Sequence, residues 1–98
     1  MSTTDRAPRD IHALRSAMLA ALTTALTPDT LELIDDSHLH AGHAGAREGA
    51  HFTVRIVSSR FLGTPRVARH RLVYDALRPW MADGVHALAI EAKAPGEA

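Results

Sequence analysis

The 98-residue chain has no cysteine, which excludes disulfides and thiolate chemistry within it and leaves histidine and carboxylate as its possible metal ligands. Aromatic residues are scarce. Phe52, Phe61, Tyr74 and Trp80 are the whole set, so any core must be built mainly from Leu, Ile, Val and Ala. Net charge is also missing. Eleven basic residues balance eleven acidic ones, so the chain as a whole does not favour long-range attraction to nucleic acid or an anionic membrane. No apolar run is long enough for a signal region or a membrane span, and Met1 to Asp10 is polar and charged. The expectation is a cytoplasmic protein with no membrane partner. What the chain does have is histidine, seven copies of it.

The length suits one domain, ordered over about residues 8–93 and ending in flexible tails. Ile11, Leu14, Met18, Leu22 and Leu26 recur at spacings of three and four, one stripe of a helix that begins near Pro8 and stops at Pro28. Leu31 and Leu33 alternate against Glu32 in a short strand over Thr30 to Asp36. Residues 37–50 hold Gly, Ala and three histidines (His38, His40 and His43), the composition of an exposed loop. From His51 to Ser58 a clean alternation puts Phe52, Val54 and Ile56 on one strand face. Ser58 to Gly63 reads as a helical turn closed by glycine. Thr64-Pro65 then offers an N-cap and first-turn proline to a longer helix with Val67, Val73, Ala76, Leu77 and Trp80 buried. Pro79 predicts a kink or early end. After Gly84 comes a last strand, Val85 to Ala92, and a loosely held tail from Lys93 to Ala98.

The order is therefore α-β-β-α-α-β, a small α/β (α+β) domain with a three-stranded mixed sheet and its helices on one face. The long helical connection lets the last two strands lie parallel through a right-handed crossover.

Alternation along the last strand puts His86 on one face with Leu88 and Ile90. An imidazole at the lip of an apolar face needs a partner. A backbone hydrogen bond would serve, and so would a metal or cluster from outside the chain. The loop histidines can be solvated surface residues or metal ligands. His51 and His70 read as structural or surface residues. Arg60, Arg66, Arg69, Arg71 and Arg78 lie in a helix-turn-helix-like outline over residues 59–80 and could meet DNA phosphates; Arg71, Asp75 and Arg78 also fit a solvated charge column. Asp35-Asp36 lacks a nucleophile or phosphate loop to complete an active site, so no catalysis is expected.

Several separated blocks carry a family likeness: Asp36-Ser37, His51-Phe52, Val57 to Gly63, Arg69 to Tyr74 and Val85 to Leu88. Together they resemble the BolA family over about residues 8–95. The resemblance implies a fold similar to class II KH domains, and a monothiol glutaredoxin partner with a 2Fe-2S cluster bridging the two proteins. The glutaredoxin cysteine and glutathione would hold one iron. His86 matches the C-terminal ligand and His40 the loop ligand, with His43 and His38 as alternates. No cluster is expected in the isolated chain, which would be a monomer or weak homodimer. Family links to transcriptional regulation keep DNA binding as the alternative.

Overall fold

The computed structural model describes residues 11–36, 50–82 and 85–97, and at His86 the backbone alone. Within it the four-residue spacing of Leu14, Met18, Leu22 and Leu26 forms the buried face of helix α1, Ile11–Leu26. Thr27 leaves the helix at φ +38°, and Pro28 then prevents its continuation. Strand β1 is Thr30–Asp35 and β2 is Ala50–Val57, where Ala50, Phe52, Val54 and Ile56 are all buried, as alternation demands.

Ser58 opens a single 3₁₀ turn, Ser59–Phe61, which is shorter than a true helix and so reduces the expected helix pair to one helix and a turn. Gly63, at φ +68°, reverses the chain after it. Helix α2 is Arg66–Met81 and strand β3 is Val85–Lys93.

The sheet order is β1-β2-β3, with β1 antiparallel and β3 parallel to β2. Both helices contribute to one core with Leu33, the inward face of β2, Phe61, Val73 and Leu77. On strand residues away from that core, Glu32, Arg55 and Glu91 stand in register across the three strands, with Arg55 3.8 Å and 3.6 Å from the two carboxylates. All three are more than half exposed, so this ladder adds little stability.

Four expectations are corrected. Thr64 does not cap α2: Pro65 is the N-cap residue, and the Thr64 hydroxyl donates weakly to the Arg60 and Leu62 carbonyls instead. Val67 is 70% exposed rather than buried, because the buried stripe runs through Val73 and Leu77 with Ala76 and Trp80 packed against it. Helix α2 also runs through Pro79 to Met81, with no early end. One missing backbone bond in the last turn is outweighed by Trp80 and Met81 packing on the core. The tail, finally, is held. Ala94 is buried, and Glu97 is tied back to the body of the domain.

Candidate functional site

Strand directions decide which residues meet. Because β1 runs against β2 and β3 runs with it, the end of β1 and the starts of β2 and β3 gather at one end of the sheet. There the Asp36 amide donates to the His51 carbonyl at 2.7 Å, and the Thr53 hydroxyl donates to the Asp36 carboxylate. These bonds fix the point at which the chain leaves β1 and the point at which, after the thirteen residues 37–49, it returns as β2.

At the same end, the pairing of β3 is irregular. Ala50 stands opposite Val85 and His51 opposite Ala87, so the register skips His86. Burial follows the skip, since Val85 is buried while from Ala87 to Ala92 the half-buried residues are the even-numbered Leu88, Ile90 and Ala92. The simple alternation that would align His86 with Leu88 and Ile90 is interrupted at His86 itself. Its side chain lies outside the described residues, as do His38, His40 and His43.

The arginines do not form one patch. Arg69 is directed inward: its guanidinium donates to the Thr64 carbonyl at 2.6 Å and the Ala92 carbonyl at 3.1 Å, and grips the Glu97 carboxylate in a fork at 2.6 Å and 2.8 Å. It also lies 5.9 Å from the centre of the Phe61 ring. This fork, with the Ala94 amide as a second donor, lowers the Glu97 pKa to about 2, while the same hydrogen bond raises that of Arg69. Arg78 pairs with Asp75 one turn earlier on α2. Arg60, Arg66, Arg71 and Arg78 are exposed, Arg78 beside its Asp75 partner, and Arg69 alone of the set is half-buried.

Residues 22–97 match the family model for the BolA-like protein. The chain belongs to the BolA-like family. It is 48% identical over 84 residues to BolA-like protein 1 of Mus musculus, covering 86% of this chain and 60% of that protein. It is also 48% identical over 82 residues to SufE-like protein 1, chloroplastic/mitochondrial, of Arabidopsis thaliana. That match covers 78% of this chain but 22% of the relative, so the BolA-like domain there is one part of a longer protein. The solved structure of BolA1 from Arabidopsis thaliana matches with a TM-score of 0.75 at 41% identity, over 87% of this chain and 95% of that one. The fold read from the sequence is thus that of BolA-like structures. Among the described residues no helix is long and apolar enough to cross a membrane, and the plastid and mitochondrial naming of a relative shows that a cytoplasmic location is not a family constant.

Several residues that organise the domain escaped the sequence reading. Ser58, Arg15 and the Arg69–Glu97 fork act between segments far apart in the chain. The tail did carry a local signal. Pro95-Gly96 sits at the centre of a turn closed by the Glu97 amide on the Ala94 carbonyl at 3.1 Å, with Gly96 at φ +87°, as a Pro-Gly pair in a type II turn requires.

Proposed function

We propose that this BolA-like chain is an adaptor rather than an enzyme, docking a monothiol glutaredoxin and lending His86 and His40 to a 2Fe-2S cluster shared between them. The glutaredoxin cysteine and glutathione hold the other iron. The observation that carries this reading is the convergence at one sheet end. The start of β3, where the register skips residue 86, pairs with Ala50 and His51, where the segment that contains His38, His40 and His43 returns to the sheet, and Asp36, where that segment leaves, lies one strand further across the same sheet end. The reading assigns the cluster to the strand histidine and to one histidine of that connection.

The donor set suits the group. With no cysteine of its own, the chain offers imidazole, which replaces thiolate on iron, reduces the negative charge of the cluster and raises its potential. Occurrence of a BolA domain in a SufE-like protein points to the same iron-sulfur context. The role proposed is cluster trafficking or iron homeostasis, with the cytoplasm as its place. The nucleic-acid reading has less support, because Arg69 is turned into the domain and Arg78 shares its exposed charge with Asp75.

The test is an anaerobic titration of cluster-loaded monothiol glutaredoxin with this protein, followed by visible absorption and circular dichroism. Wild type should produce a new cluster spectrum. His86→Ala should abolish it and His40→Ala should abolish or strongly alter it, with the far-ultraviolet spectrum of the domain unchanged. An unaltered spectrum on adding wild type would overturn the adaptor reading, and a wild-type response from His86→Ala would overturn the ligand assignment.

A further inference from the structure

We propose that a second site, a cleft between the first two turns of α2 and the C-terminal half of β3, binds a small organic phosphate monoester. The cleft measures about 300 Å³, room for one phosphate and a compact organic group. It lies at the far end of β3 from His86, about 20 Å along the strand at the usual rise per residue. It is therefore independent of the cluster reading.

The charge balance of the walls selects an anion. Arg69 and Glu97 cancel in their fork, and Glu91 lies 3.6 Å from Arg55, which it shares with Glu32 at 3.8 Å. Three cations against two carboxylates leave the walls net positive, with Arg66 on the helix wall, Lys93, whose charge also acts on Glu97, on the strand wall, and the His70 imidazole as a further polar group. Among the described residues, Arg66 and His70 make no side-chain hydrogen bond or ion pair.

The helix adds to this bias. Arg66 opens α2, whose first turn has no acidic residue and whose N-cap, Pro65, supplies no side-chain acceptor, so the positive end of the helix dipole is not neutralised locally. A phosphate monoester carries nearly two negative charges at neutral pH and accepts hydrogen bonds on three oxygens, matching two cations on facing walls. Ile90 gives the organic group an apolar surface.

The experiment is a titration of the ¹⁵N-labelled full chain with phenyl phosphate, read by amide chemical shifts, with inorganic phosphate and an unphosphorylated single-stranded oligonucleotide run beside it. Phenyl phosphate should shift amides of residues 66–70 and 90–93 saturably, and more tightly than inorganic phosphate. Arg66→Ala and Lys93→Ala should each weaken binding about tenfold, the loss of one charge-assisted contact, while the remaining amides stay in place. Absence of a saturable shift, or wild-type affinity in both variants, would overturn the proposal. Equal binding of inorganic phosphate would remove the organic group from it, and tighter binding of the oligonucleotide at the same amides would replace the monoester with a nucleic-acid backbone.

Discussion

Ser58 shows how much one small side chain can hold. It is fully buried, and its hydroxyl donates to the Leu26 carbonyl at the end of α1 at 2.6 Å while accepting the Arg60 amide at 3.0 Å. Its own amide donates to the Lys93 carbonyl at the end of β3 at 3.0 Å. The last turn of a helix has carbonyls without partners, and here one of them is satisfied from 32 residues away. Ser58→Ala keeps the backbone bond but strands a buried carbonyl and an amide. It should cost about 1–3 kcal/mol, measured by urea denaturation, with an unchanged slope. A change within about 0.5 kcal/mol would show that these groups find other partners. Nothing local could have disclosed the bond to Leu26, although a serine ahead of a helical turn is a capping signal and does cap the turn here.

Among the elements, each helix sends an arginine to a carbonyl of an edge strand. Arg15 of α1 donates to Leu33 on β1 at 2.9 Å, and Arg69 of α2 donates to Ala92 on β3. Open strand edges invite pairing with other chains, and these contacts occupy part of both edges. Arg69 goes further and fastens the turn after β3 through Glu97. The carboxyl titrates near 2 in the folded protein against an ordinary 4.5, so the unfolded chain takes up the proton first as pH falls. Stability from this group is full above about pH 4.5 and is lost as pH drops toward 2. Glu97→Gln should therefore be less stable than wild type at pH 7, and the difference in urea midpoint should shrink between pH 4.5 and 2.5. A constant difference across that range would mean that the carboxylate charge is not what secures the tail.

The periodic elements were legible because burial alone dictates their pattern: the α1 stripe and the β2 alternation need no knowledge of the rest of the chain. The tail, the inward turn of Arg69 and the continuation of α2 past Pro79 were not, because each depends on partners brought together by the fold. The same distinction runs through the site. Histidine-rich composition and the family likeness named His86 and His40, but the skipped register at His86 arises only once β3 pairs with β2.

At the scale of the whole molecule, one antiparallel hairpin and one parallel crossover bring residue 86 and the two anchors of the histidine-bearing connection to a single sheet end. The monoester cleft lies at the other end of the same strand, so the two readings can fail separately. The central claim is that imidazoles from this chain ligate a shared cluster, and it is tested most directly by pulsed electron paramagnetic resonance on the reduced complex with monothiol glutaredoxin, prepared with ¹⁵N-histidine in this chain alone. Two strongly coupled ¹⁵N nuclei in wild type, and one in His86→Ala or His40→Ala where a complex persists, is the result expected. A reduced cluster spectrum with no strongly coupled ¹⁵N nucleus would contradict it.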